Sequence, residues 1–147
     1  MKKRIVFVIV LMMLSGFIFA DVGINVLHDS MITKRDEKIY VKNEKIPFTG
    51  IIVQEFVKGE ITGNMEVVNG LYHGDMIFFH KNGKPYTSFK MINGKFQDGT
   101  AKLYGEKGLQ VGRITFKNGK IIEQVRYRNG EVIRTRKNLT LEDVIYE

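Results

Sequence analysis

Cysteine and tryptophan are absent from the 147 residues, proline occurs twice and histidine three times. Without cysteine no disulfide framework can form, and no lipid can be attached to an amino-terminal cysteine. A fold outside the cytoplasm would then be held by its own core and its sheet hydrogen bonds. A metal centre needs three or four converging ligands at fixed geometry. The nearest approach to a set is the loose trio His73, Asp75 and His80, which reads more simply as turn and surface residues. No Gly-x-Gly-x-x-Gly or Walker-type string precedes a helix. The Asp and Glu residues scatter over polar positions, where solubility explains them. These observations imply a chain that is not an enzyme, with no catalytic, metal-binding or cofactor-binding residues and no cofactor.

Charge of one sign is also thin. Of the formal net charge of +7, three come from Lys2, Lys3 and Arg4, which leaves +4 for the remainder. The cations are spread along the chain, with one local cluster at Arg134, Arg136 and Lys137. Nucleic-acid binding asks for a denser stripe with aromatic platforms beside it, so no nucleic acid is expected as a partner. Long apolar runs are confined to the amino terminus. There a basic tip is followed by an apolar stretch from Ile5 to Leu14, a break at Ser15 and Gly16, and then Phe17 to Ala20. The stretch is short for a membrane span of about 20 residues. Residues 1–20 read as a secretory signal peptide with Ile18 and Ala20 at −3 and −1, an uncleaved anchor or a buried helix being the alternatives. The expected mature start is Asp21, and the expected location is the periplasm, the cell envelope or the medium.

Glycine is what the chain has in quantity. Turn-like glycines stand at Gly59, Gly70, Gly83, Gly94, Gly108, Gly119 and Gly130, and pairwise spacings such as Gly59 to Gly83 and Gly83 to Gly108 give a unit of 24 to 25 residues. A second lattice lies inside the first, with Gly50 to Gly59, Gly74 to Gly83 and Gly99 to Gly108 all nine apart. Asn-Gly recurs at 69–70, 82–83, 93–94, 118–119 and 129–130. Both residues tolerate positive φ, which a type I′ hairpin turn requires at its two central positions.

Between the turns the apolar residues alternate. Met65 and Val67 align with Phe89 and Met91, with Ile114 and Phe116, and with Val125 and Tyr127, while Glu66, Lys90, Thr115 and Arg126 fill the opposite parity. That predicts one apolar and one wet face per strand. Elsewhere both parities are apolar, as at Met76 to Phe79. Tyr72, Ile77, Phe79, Tyr86 and Tyr104 could therefore form an exposed ladder for a partner, or else fill the interior of a curled sheet.

The Asn-Gly turns, the internal glycines Gly50, Gly74 and Gly99, and the segment from Leu71 to Lys84 resemble the bacterial variant of the MORN repeat, found in antitoxin-component-like proteins. The resemblance spans about Lys45 to Ile133. Phe79 and Tyr104 stand at the family's aromatic position, and unit one lacks that aromatic. The resemblance implies an all-β fold: an elongated, curled antiparallel meander of repeated β-hairpins, here with an amino-terminal signal helix. It implies contact with proteins or membranes and no activity of its own. An antitoxin role sits poorly with an exported chain. The expected organisation is a signal peptide over 1–20, an amino-terminal extension over 21–38, a repeat array over 39–133 and a carboxyl-terminal cap or tail over 134–147. Thr140 followed by Glu142 and Asp143 is compatible with the start of a short helix in that last segment, a last strand or a loose tail being the alternatives. The expected function is protein binding at the cell envelope or surface. Membrane-lipid or glycan association and structural self-assembly are the alternatives, and the oligomeric state is open.

Overall fold

The computed structural model describes residues 25–56 and 59–146. The expected signal helix lies outside these residues. The chain is mostly β and runs β1 (Val26–His28), a 3-10 turn (Asp29–Met31), β2 (Ile32–Arg35), β3 (Lys38–Val41), β4 (Gly50–Phe56), β5 (Ile61–Val68), β6 (Leu71–His80), β7 (Pro85–Ile92), β8 (Lys95–Phe96), β9 (Gly99–Tyr104), β10 (Gln110–Lys117), β11 (Lys120–Arg128), β12 (Glu131–Leu139) and a short helix α1 (Leu141–Ile145).

The all-β expectation agrees with this architecture, whereas the MORN resemblance, the curled meander and the repeated β-hairpin do not. The strands divide among a six-stranded sheet of order β1-β4-β5-β6-β7-β8, a four-stranded sheet of order β12-β11-β10-β9 and a separate β2-β3 pair. β1 skips β2 and β3 to pair in parallel with β4, Val26 opposite Ile51 and His28 opposite Val53. That makes the larger sheet mixed. Neighbours from β4 to β8 and from β9 to β12 pair antiparallel, but the ladder stops at β8. With only two residues, β8 is too short to carry the sheet forward. β9 lies instead near β7, where the Thr87 hydroxyl donates to the Lys102 carbonyl at 2.9 Å. Glycine spacing fixes where a chain turns; it does not fix which strand edges meet.

Local chemistry explains most of the turns. Asn69, Asn93, Asn118 and Asn129 all have φ near +50°, each followed by a Gly with φ between +74° and +83°. Asn82 does not share that conformation. The Gly83 amide there donates to the His80 carbonyl and the His80 amide to the Lys84 carbonyl, both at 2.8 Å, which makes a longer loop, and the Asn82 side chain accepts from the Lys84 amide. Gly50, where β4 begins, has φ +154°, and a Cβ there would run into the Asn25 carbonyl. That carbonyl accepts from the Ile51 amide at 2.8 Å and fastens β1 to the sheet.

One apolar cluster joins both large sheets. Across β4 to β7 the row Ile52, Met65, Met76 and Phe89 is in register and buried. Rings carry the contact onward: Phe56 to Phe78 at 5.7 Å, Phe78 to Phe89 at 5.5 Å and Phe89 to Phe116 at 5.1 Å, the last crossing from β7 to β10. Gly63 makes room for this, since a Cβ there would lie 2.8 Å from the Phe78 ring. α1 closes the cluster with Val144 and Ile145, both buried.

The expected alternation is kept at Met65, Val67, Phe89, Met91, Ile114 and Phe116, all buried in the core, and fails in β11. There Thr115 pairs with Glu123 but Phe116 pairs with Ile121, leaving Ile122 as an extra residue. The bulge reverses the parity of the residues beyond it, because side chains alternate with period two. Gln124 thus lies opposite the core residue Ile114. Val125, buried but outside the main cluster, lies opposite Arg113 on the other face. Both polar atoms of the buried Gln124 amide lack a hydrogen-bond partner. Leaving such a group unsatisfied costs about 1–3 kcal/mol. Gln124→Met, which keeps the length and removes the amide, is therefore expected to raise stability by about that amount. A urea titration measures it, and an unchanged or lowered midpoint would show that the amide is solvated in solution.

α1 is held by a reciprocal cap. The Asp143 amide donates to the Thr140 hydroxyl, and the Thr140 amide and hydroxyl donate back to the Asp143 carboxylate at 2.7 and 2.6 Å. These hydrogen bonds, with Arg136 nearby, lower the Asp143 pKa below its ordinary 3.8. A carboxyl depressed in the folded state contributes stability above its unfolded pKa and loses it as pH falls through the folded value. The cap is therefore expected to be intact above about pH 4 and to open in more acid solution. NMR titration of the Thr140 and Asp143 amides reads this directly, and Thr140→Ala should abolish the coupled shift.

Candidate functional site

The five aromatic and aliphatic positions of the expected partner ladder fall in three places. Ile77 and Phe79 lie on the outer face of β6, half-buried, with Asn64 and Ser88 beside Ile77 and Thr62 and Pro85 beside Phe79 in the ladder. Tyr72 stands opposite the core residue Val67 and packs against the cluster, the Lys34 ammonium 5.6 Å from its ring centre. Burial, and after it the charge of Asp29, pushes its hydroxyl pKa up. Tyr86 and Tyr104 are brought together at the junction of the two large sheets.

At that junction lies a half-open pocket of about 300 Å³ lined by Glu60, His80, Tyr86, Tyr104, Glu106, Arg126 and Ile145, among others. Its polar groups hold the fold together. The buried Tyr86 hydroxyl donates to the Val144 carbonyl at 2.9 Å and accepts from the Arg126 guanidinium at 3.1 Å, so one side chain ties β7 to α1 and β11. The His80 ring nitrogen Nε2 lies 2.7 Å from the Tyr104 carbonyl, the geometry of an N–H donating to it, which joins β6 to β9. His73 contacts the Asn93 side chain at 3.1 Å, so the trio of His73, Asp75 and His80 does not converge. Among the described residues no group of three or more His, Asp or Glu is placed to hold a metal.

The most exposed feature is the last hairpin. β12 forms the edge of its sheet and pairs with β11 from Arg128 opposite Glu131 to Ile121 opposite Leu139. Seven of its nine residues are exposed, with Val132 at 60% and Ile133 at 54%. A bulge at Arg126/Tyr127 sets these two branched side chains at the turn end of the strand. Residues 120–139 hold six Lys or Arg against two Glu, whereas residues 21–119 hold fourteen Lys or Arg against eleven Asp or Glu. The hairpin thus carries +4 on twenty residues and the preceding ninety-nine carry +3.

On the outer face of β10 and β11, Arg113 reaches across Val125 to the Tyr127 hydroxyl and the Glu123 carboxylate, both at 3.1 Å. The bonds to Glu123 and then to Tyr127 hold the Arg113 guanidinium above its ordinary pKa. Arg134 stands opposite Arg126 in the ladder. The Arg136 guanidinium donates to the Asp143 carbonyl at 2.9 Å. Sequence reasoning found the cationic cluster at 134–137 but not its strand. Val132, Ile133 and Thr135 were the available signal, being β-branched residues that favour extended chain.

Comparison with protein-family models, with curated proteins and with solved structures finds no match for the chain. The functional reading therefore rests on the molecule's own chemistry.

Proposed function

We propose that this chain is a non-catalytic, exported protein-binding module of the cell envelope or surface. The observation that carries the reading is the last hairpin, where exposed Val132 and Ile133 lie beside the densest positive charge in the described chain. Apolar surface rimmed by charge favours a protein partner of opposite sign. Export is supported by the basic tip and apolar stretch of residues 1–20. The non-catalytic assignment is supported by the junction pocket, where Tyr86, His80 and Arg126 are engaged with the protein's own groups.

The test is a pull-down from envelope extract with the immobilised chain, eluted by salt steps, alongside flotation with vesicles of anionic phospholipid. The expected result is a saturable protein partner that survives moderate salt. The same cations favour a second reading, attraction to anionic lipid headgroups, which weakens steeply as ionic strength rises. Vesicle flotation with no protein recovered would replace the first reading with the second. Expression of the intact gene followed by mass analysis tests export, a mature chain beginning at Asp21 being the expected product.

A further inference from the structure

Among the described residues, one sheet edge stands apart from the rest by its length and exposure. In the six-stranded sheet the edge strands β1 and β8 are three and two residues long, and in the separate pair β2 and β3 have four each. In the four-stranded sheet, β9 lies close to β7, bridged by the bond from Thr87 to Lys102. β12 is nine residues long, pairs on one side only among the described residues and is exposed along most of its length. An unpaired edge presents a row of backbone N–H and C=O groups that a further strand can complete. Short edges offer too few such groups to hold a partner; nine residues offer a full ladder.

We infer that β12 is a docking edge for an extended, acidic segment of another protein, added as a fifth strand to the four-stranded sheet. This deepens the proposed protein-binding function and rests on it. Backbone hydrogen bonds would supply affinity, and side chains alternating to the two faces would supply selectivity. β12 itself carries Arg134, Arg136 and Lys137 against Glu131, and this excess of positive charge selects for acidic residues in the added strand, because opposite charges directly across a ladder stabilise and like charges destabilise. Val132 and Ile133 offer β-branched or aromatic partners a contact at the turn end. The same charge disfavours a second copy of this chain as occupant: antiparallel self-pairing centred on Thr135 would set Arg134 against Arg136, and centred on Arg134 would set that residue against itself.

Binding is measured by fluorescence anisotropy with the full chain and a labelled peptide of alternating Glu and Val. Two control peptides have Lys in place of Glu, or alternate amides N-methylated to remove the donors. The Glu/Val peptide is expected to saturate, with at least a tenfold loss for either control. On the protein, Thr135→Pro removes an amide from the strand, and Lys137→Gln removes a charge and leaves the backbone intact. Both should weaken binding while thermal melts report on folding. If Thr135→Pro does not fold, the N-methylated peptide still decides the backbone question. Equal binding of the N-methylated peptide, no binding of the Glu/Val peptide, or concentration-dependent dimerisation suppressed by Lys137→Glu would overturn the inference. A partner captured from extract whose binding is indifferent to Thr135→Pro would also overturn it, while leaving the protein-binding reading in place.

Discussion

Phe78→Ala is expected to lower the unfolding free energy by about 3–5 kcal/mol, measured as a fall in the urea midpoint. The side chain is fully buried and stacks with Phe89 at 5.5 Å while tilting against Phe56 at 5.7 Å. Its loss removes apolar area and leaves a cavity on the inner face of the sheet among close-packed rings, where little collapse can refill it. Gly63 already fits closely beneath the ring and cannot move in to compensate, having no side chain. Phe79→Ala, one residue along, should cost less than half as much, because Phe79 lies half-exposed on the outer face. Equal effects at the two positions would contradict the assignment of faces on β6.

Gly112→Ala should cost on the order of 3 kcal/mol, combining overpacking with weakened ladder bonds. A Cβ at this position would meet the Val125 carbonyl, and it would approach the Leu103 side chain to 3.1 Å. The obstacle is the backbone of the neighbouring strand, which cannot rotate aside, so β10 and β11 must separate locally. Gly83→Ala provides the contrast. It has positive φ but nothing within 4 Å of an added Cβ, so it should lose about 1–2 kcal/mol from conformation alone. Thermal melts compare the two variants, and amide shifts at Arg113 and Val125 should move only in Gly112→Ala. A smaller loss at Gly112 than at Gly83 would show that the strands part easily there.

The sequence made the β class and the sites of turning legible, because both rest on local chemistry. Asn-Gly at 69–70, 93–94, 118–119 and 129–130 reports a backbone preference that tertiary structure has no reason to override. Connectivity was not legible. Nothing local to Val26 or Ile51 announces a parallel pairing across β2 and β3, and the turn between those strands uses Asp36 and Glu37 at positive φ with no glycine. The bulge at Ile122 likewise has no marker in composition, yet it exchanges Val125 for Gln124 on the core face. The candidate site was legible in charge but not in form. Arg134, Arg136 and Lys137 stood out as a cluster, while the exposed strand that carries them depends on β11 beside it, and hence on the register of the whole smaller sheet.

Val144 and Ile145 sit in the core alongside side chains from β4 to β10. A nascent chain that has reached Leu139 therefore holds the twelve strands of the described residues and still lacks the two residues that shut its interior. The hairpins from β4 to β7 can form early, since their partners are close along the chain. β9 to β11 then cover much of their common apolar face, and the last part stays open until the residue whose carbonyl receives the Tyr86 hydroxyl has been added. Until those two side chains arrive the packed strands lack their lid, and in that interval a chaperone has the most to hold.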